Sequence, residues 1–167
     1  MAYTTVDKAK ANMSATKFSG TGSSNSITGV NFQPDCVWIK ARFATTDWVA
    51  FNSLRGTTKK LIINETNIEA TDANSLTAFG TDGFTLGSEA AVNTNGNDYI
   101  AYCWKGGTTS GITQGSANIT PTSYTFNVNA GISFVKYTGN GTTGGSIPHG
   151  LGIKPAMVII KSMTDVN

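Results

Sequence analysis

The sequence predicts an all-β protein built from short antiparallel strands, as in a β-sandwich or a β-barrel. Turn signals made of Gly, Asn and Asp recur about every 8–12 residues, which is typical of these folds. The chain of 167 residues is also rich in Gly, Ser, Thr and Asn. These residues favour turns and strand ends and are poor in helices, because their side chains compete for backbone hydrogen bonds or their backbones are too free.

Six strands are predicted in the first two-thirds of the chain, where apolar or alternating runs lie between turn signals. They span residues 36–40, 47–52, 59–64, 75–79, 84–87 and 98–105. Asp82-Gly83, between the fourth and fifth of these, is the dipeptide that most strongly indicates a tight β-hairpin. Only "VDKAKANM" (residues 6–13) has the composition of a helix.

The strand "DYIAYCWK" alternates one set of side chains, beginning with Tyr99, against another that ends with Trp104. Because apolar residues flank Trp38 and Trp104 in their strands, we expect both indole rings to pack in the core. Cys36 and Cys103 also fall within strands. They are expected to be buried, reduced thiols rather than a disulfide.

An internal repeat divides the chain. "FSGTGSSNSITGVNFQPDCVWIK", from Phe18, matches "YTGNGTTGGSIPHGLGIKPAMVIIK", from Tyr137, through its glycines, its proline and its final apolar strand. The expected organisation is an N-terminal segment, a β-sandwich module, a Gly/Thr/Ser-rich linker and strands that open a second, incomplete copy. These parts span residues 1–17, 18–107, 108–123 and 124–167.

The second copy contains Gly139, Gly141 and Gly144 at the spacing of a dinucleotide-binding loop. Such a loop needs a helix directly after it, whose N-terminus faces the phosphates. Pro148 and the glycines that follow prevent a helix there, and the first copy has Asn25 in place of the third glycine. The glycines are therefore interpreted as turn residues.

Charge and hydropathy exclude two classes of partner. Charged residues make up 13% of the chain, the net charge is +2, and no long basic run occurs, so a nucleic-acid partner is not expected. The longest apolar run, Ala156 to Ile160, is too short to span a bilayer, so no membrane partner is expected.

Five stretches taken together resemble a module of tailed-phage structural proteins, especially those of marine phages. They are the two repeat sequences quoted above, "TTDWVAFNSLRG", "LTAFGTDGFTLGS" and "VNTNGNDYIAYCWKGG". The resemblance covers residues 15–107 and the start of the second copy. It implies a concanavalin-like jelly-roll sandwich in a tail fibre or a head or tail appendage. It also implies location on the virion, after assembly in the host cytoplasm, with tail, portal or capsid proteins as partners.

Candidate binding residues follow from the loops. Phe43 and Trp48 flank "ATTD" and, with Asp47, could stack on and hydrogen-bond a sugar at a loop end. Asp82 and Asp98 lie in oxygen-rich turns and are candidate calcium ligands, so Ca²⁺ is the one cofactor considered.

No residue is assigned a catalytic role. His149 is the only histidine and has no evident acid and nucleophile beside it. Glu65 and Glu69 could form the carboxylate pair of a glycosidase, but they lie in a polar loop with no predicted element to fix their separation.

Residues 1–17 are assigned to docking on the particle or on sister chains, with Tyr3, Val6, Lys8 and Lys10 as the candidate contacts. Deleting the segment is expected to abolish incorporation while leaving the sandwich folded.

Two function classes remain open. The first is a non-enzymatic virion structural protein that forms homo-oligomers, trimers by analogy with phage fibres. The alternative is a lectin-like module that binds a host-surface glycan, and the two can coexist. Because a lone strand pair is marginal in water, the strands of the second copy are expected to pair either with a continuation of the natural chain or with another chain.

Overall fold

The structure, a computed structural model, describes residues 9–165, which form eleven β-strands and very little helix. The helical parts are a 3-10 turn at Ala9–Ala11 and a one-turn helix, α1, at Ala90–Asn93. The strands are β1 (Met13–Ser19), β2 (Asn25–Ile27), β3 (Cys36–Ala41), β4 (Val49–Asn52), β5 (Lys59–Ile62), β6 (Ala70–Thr71), β7 (Leu76–Gly80), β8 (Gly83–Leu86), β9 (Asp98–Trp104), β10 (Ser123–Asn127) and β11 (Ile132–Lys136). The prediction of an all-β protein is confirmed.

The strands form three antiparallel sheets, an arrangement consistent with a β-sandwich. One sheet has six strands in the order β1-β9-β3-β4-β5-β6, and a second has three in the order β2-β8-β7. The hairpin β10-β11 is separate. Each strand of the six-stranded sheet is short, and its register follows the alternation of the sequence, because one face of the sheet is buried.

The core lies between the six-stranded and three-stranded sheets. From the larger sheet, β3 contributes Val37 and Ile39, and β9 contributes Tyr99, Ala101 and Cys103, all fully buried. The smaller sheet and its loops add a second set, which comprises Ile27, Val30, Phe32, Leu76, Phe84 and Leu86. Burial of these side chains is the main stabilising contribution to the fold.

The predicted turn at Asp82-Gly83 joins β7 to β8. A Cβ atom at Gly83 would collide with the carbonyl oxygen of Ile27, so glycine is required by close approach of the backbones as well as by its φ of 146°. The Asp82 carboxylate accepts hydrogen bonds from the backbone amides of Gly29 (3.0 Å) and Asn31. The turn therefore also holds the loop after β2.

Strand β1 begins at Met13, inside the segment that the sequence assigns to docking. It pairs with β9 over seven residues, from Met13 opposite Trp104 to Ser19 opposite Asp98. The helical interpretation of residues 6–13 is wrong for the described residues, where only Ala9–Ala11 form a single 3-10 turn. From Met13 onward the backbone pairs with β9, so the helical turn does not continue beyond this point.

The segment predicted as a linker, residues 108–123, makes specific contacts. Thr108 forms a β-bridge with Phe126 of β10, and the Ile119 side chain is buried. The backbone amide of Ile119 donates to the carbonyl oxygen of Ser146 (3.0 Å). The segment is thus packed between the hairpin and the glycine-rich loop that follows it.

Residues 137–165 contain no strand, so the strand expected at 157–161 does not form in the structure. Two contacts hold the end of this segment: Lys161 Nζ donates to the Glu65 carbonyl oxygen (2.9 Å), and the Glu69 amide donates to the Met163 carbonyl oxygen (3.0 Å). Within residues 9–165, none of the helices has the length and apolar character needed to cross a membrane.

Candidate ligand-binding site

The outer face of the six-stranded sheet, opposite the core, carries a cluster of aromatic side chains. Alternation along β9 turns Tyr102 and Trp104 to this face, because Ala101 and Cys103 point into the core. The register then places Trp38 of β3 opposite Tyr102, and Met13 of β1 opposite Trp104. Three neighbouring strands thus supply one continuous apolar surface.

The aromatic rings pack against one another in a row. Trp48 and Tyr102 have ring centroids 5.9 Å apart, and Tyr102 stacks on Trp104 at 6.2 Å with an interplanar angle of 25°. Trp38 meets Trp104 edge to face at 5.2 Å. These separations and angles are those at which aromatic pairs attract, so each ring restrains its neighbour.

Trp48 is positioned by the backbone immediately before β4. Its amide donates to Asn64 Oδ1 (2.8 Å), and its carbonyl oxygen accepts from the Ile63 amide (3.1 Å). Asn64 Nδ2 donates in turn to Asp47 Oδ1 (2.9 Å). Hydrogen bonds between the residues before β4 and the residues after β5 therefore fix the position of the Trp48 indole.

Together these residues line an open groove of about 500 Å³, here called the aromatic groove. Its lining residues are Met13, Trp38, Trp48, Ile63, Asn64, Tyr102 and Trp104. As far as the structure describes the chain, the lining includes no carboxylate, histidine or cysteine side chain. Polar groups come from Asn64, the Tyr102 hydroxyl and the indole N–H groups, so the groove offers flat apolar rings with a few hydrogen-bonding groups.

The expectation that Trp38 and Trp104 pack in the core is wrong. Both indoles are half-buried and lie on the outer face. Both faces of β3 and β9 carry apolar residues, so the sequence pattern does not decide which set points inward. The three-stranded sheet packs on the face of β9 that carries Tyr99, Ala101 and Cys103, so Tyr102 and Trp104 lie on the opposite face.

The structure separates the three residues predicted to bind a sugar. Trp48 lines the groove, and Asp47 lies at its rim, bonded to Asn64. The Phe43 side chain is 82% exposed and is not among the lining residues; the guanidinium of Arg42 lies 5.1 Å from the centre of its ring.

The structure does not bring the two candidate calcium ligands into one carboxylate cluster. Asp82 binds the backbone amides of the β2–β3 loop. Asp98 accepts from the Ser19 hydroxyl (2.8 Å) and lies 3.8 Å from the Arg42 guanidinium. Among residues 9–165, no group of three or more His, Cys, Asp or Glu side chains is placed to hold a metal ion.

The remaining candidate residues from the sequence that the structure describes take no part in the groove. His149 Nδ1 accepts a hydrogen bond from the Leu151 amide (3.2 Å), as a turn residue does. Glu69 forms an ion pair with Arg55 at 2.7 Å. Lys10 is exposed on the 3-10 turn before β1, whereas Tyr3, Val6 and Lys8 lie outside the described residues.

Comparison with known protein families assigns the chain to a family. A family described as a domain of unknown function, DUF7483, matches residues 8–167. The chain belongs to the DUF7483 family. The DUF7483 match runs through every strand and across the predicted boundaries at residues 107 and 123. No curated protein and no solved structure matches the chain.

Of the seven groove residues, the sequence predicted only Trp48 as a binding residue; it placed Trp38 and Trp104 in the core and did not consider Met13, Ile63, Asn64 and Tyr102. One signal was available, because Tyr102 alternates in phase with Trp104 and must share its face. The other three reach the groove only through the pairing of β1 with β9 and of β4 with β5. No local pattern contains that information.

Proposed function

We propose that this chain is a non-enzymatic carbohydrate-binding β-sandwich module, carried on a tailed-phage appendage, whose aromatic groove binds a glycan. The observation that supports the binding role is the groove itself, in which Trp48, Tyr102 and Trp104 present a row of rings on an open sheet face. In a module without a binding role, aromatic rings of this size would be expected to pack inside the sandwich.

The chemistry of the groove suits a sugar. A pyranose has an apolar face of C–H groups that packs on an aromatic ring, and hydroxyls around its edge that need hydrogen bonds. The rings supply the flat apolar surface, and Asn64, with Asp47 behind it, supplies polar atoms at the rim. An open groove favours a stretch of a glycan chain over a small enclosed ligand.

The non-enzymatic proposal rests on the lining residues. Glycoside hydrolysis uses two carboxyl groups about 5–10 Å apart around the scissile bond. Among residues 9–165, Asp47 places a carboxylate beside the groove, where it accepts a hydrogen bond from Asn64. Neither Glu65 nor Glu69, the pair considered from the sequence, is among the lining residues, and Glu69 forms an ion pair with Arg55.

The setting on a virion rests on the resemblance of the sequence to phage structural modules. In this proposal the chain is part of a concanavalin-like jelly roll in a homo-oligomeric, trimeric appendage. Tail, portal or capsid proteins hold it through the N-terminal residues, and the sandwich faces the host surface. Neither nucleic acid nor a membrane is a partner, and Ca²⁺ is not required for binding.

The binding proposal is tested on a glycan array and by calorimetry with the best ligand. Trp48→Ala should weaken binding roughly tenfold or more, since the loss of one stacked ring corresponds to about 1.4 kcal/mol. Phe43→Ala is the matched control, because Phe43 is an exposed aromatic five residues away and outside the groove. It should leave the affinity unchanged.

Three results would contradict the proposal: no glycan bound by the native protein, equal loss in both variants, or cleavage of the bound glycan. The virion setting has a separate test, in which antibodies against the chain label purified particles. Particles without label would remove that setting and leave the binding role untouched.

A further inference from the structure

Four consecutive apolar side chains lie on the surface in the C-terminal part of the chain. The exposed fractions are 76% for Met157, 68% for Val158, 60% for Ile159 and 69% for Ile160. Large apolar side chains exposed side by side usually mark a surface that another element covers. Within residues 9–165 no strand pairs with this segment.

The internal repeat identifies what this segment corresponds to. "MVIIK" (157–161) matches "CVWIK" (36–40), so Val158 and Ile160 are the counterparts of Val37 and Ile39. Those two residues of β3 are fully buried, whereas their counterparts are about two-thirds exposed. β3 lies inside its sheet, where it pairs with β9 at six positions and with β4 at four.

A second equivalence supports the first. "MSATKFSG", which contains β1, aligns with "ISFVKYTG", which contains β11, and in both copies the stretch forms a strand. In the first copy, β9 lies between β1 and β3 and bonds to both. In the second copy, β11 and residues 157–161 are the sequence counterparts of β1 and β3, the two outer strands of that arrangement.

We propose that residues 157–161 are an acceptor strand, which is completed by two strands of the β4 and β9 type from a further copy of the module. One strand pairs with each edge, and the β9-type strand bridges to β11. Such strands match the acceptor chemically, because β9 alternates Tyr99, Ala101 and Cys103 toward the core. Backbone hydrogen bonds provide the affinity, and the apolar side chains provide the register.

The proposal assigns a face to each side chain. By equivalence with β3, Val158 and Ile160 point into the new core. Ile159 occupies the position of Trp38 and points to the outer face. In the unextended chain the two neighbours Val158 and Ile159 are similarly exposed, so substitution of either should leave the existing fold intact.

In the test, a second copy of residues 47–107 is added to the full chain after Asn167. Because 157–161 aligns with 36–40, Asn167 aligns with residue 46, so the addition continues the repeat in register. Hydrogen exchange read by mass spectrometry should show the amides of 157–161 slowed roughly 100-fold or more relative to the unextended chain. Val158→Asp should abolish this protection, and Ile159→Asp should retain about tenfold or more of it.

Exchange in β3 reports whether the first module is folded in each protein. Three outcomes overturn the proposal: an extended protein with β3 protected and 157–161 unprotected, equal effects of Val158→Asp and Ile159→Asp, or protection of 157–161 in the unextended chain when it self-associates. The last result would assign the segment to contacts between copies of the same chain.

Discussion

At the scale of single residues, strand alternation decides the chemistry of the two cysteines. Cys36 lies opposite Trp104, and Cys103 lies opposite Val37, so the thiols sit on opposite faces of two adjacent strands. Both are free and buried, as the sequence predicts. Burial raises the pKa of each thiol to about 12, which keeps it protonated and poorly reactive at neutral pH.

Also at this scale, one lysine forms ion pairs with two acidic residues from other parts of the chain. Lys60 of β5 donates to Glu89 (2.9 Å) and Asp72 (3.1 Å), and all three side chains are mostly buried. Burial opposes the charged form of Lys60, but these hydrogen bonds outweigh it and raise the pKa of Lys60. The pKa of Asp72 is lowered to about 2. The largest cause is a hydrogen bond with the Glu89 side chain, and the bonds from the Asn74 amide and Lys60 add to it.

This shift predicts a loss of stability in acid. The pKa of Asp72 lies below its ordinary value of 3.8 in the folded protein, so the charged carboxylate stabilises the fold. That contribution is fully present above about pH 4 and is lost as the pH falls toward 2. The midpoint of urea unfolding should fall over this range, and Asp72→Asn should flatten that part of the profile. An identical profile for the variant would contradict the assignment.

At the scale of elements, the hairpin β10-β11 is docked through a close backbone contact. The amides of Gly106 and Gly107 donate to Asp35 Oδ2 (2.8 and 3.1 Å), and the Gly107 amide also donates to Thr125 Oγ1 (2.8 Å). A Cβ atom at Gly106 would overlap the buried side chain of Thr125. Position 106 therefore needs glycine for space.

Gly106→Ala should accordingly loosen the hairpin. Overpacking of this kind costs about 1–3 kcal/mol, and it should appear as a lower free energy of unfolding and faster hydrogen exchange in residues 123–136. Gly139→Ala is the matched control, because a Cβ there meets no atom within 4 Å. It should change stability by less than about 0.5 kcal/mol. Equal effects of the two substitutions would show that the hairpin is not held by this contact.

At the scale of the whole molecule, the sandwich includes residues that the sequence assigned to particle docking. Met13–Ser19 form an edge strand whose inner side chain Phe18 stacks on Tyr99 at 5.3 Å. Docking, if it occurs at this end, must therefore use residues that precede β1 or the outer edge of β1 itself. The sequence led us to expect that residues 1–17 could be deleted without harm to the fold. Because β1 lies partly within them, we now expect their deletion to destabilise it.

Deletion of residues 1–17 should destabilise the protein by roughly 1–5 kcal/mol, because it removes five cross-strand pairs of β1 with β9, each contributing about 0.2–1 kcal/mol. It also uncovers one edge of β9, so aggregation should increase. Urea unfolding and light scattering measure both effects. Deletion of residues 1–8, which keeps every described strand, is the control and should unfold near the native midpoint. Native-like stability after the longer deletion would contradict the prediction.

Local sequence determined much of the strand layout. Alternating or apolar runs bounded by turn residues located β3, β5 and β9 to within about two residues, and Asp82-Gly83 located a hairpin. These features are local: period-two alternation and turn chemistry act over a few residues. The absence of long helices from residues 9–165 follows from the same composition.

Tertiary structure alone decided the rest. Strand β1, which no pattern in the sequence predicted, is a strand because β9 offers it an edge. Tyr102 and Trp104 face outward because the three-stranded sheet packs on the other face of β9, which carries Tyr99, Ala101 and Cys103. "CVWIK" is a buried central strand and its repeat "MVIIK" is not, although their patterns agree. A strand exists only through hydrogen bonds to a neighbour, and no sequence pattern supplies that neighbour by itself.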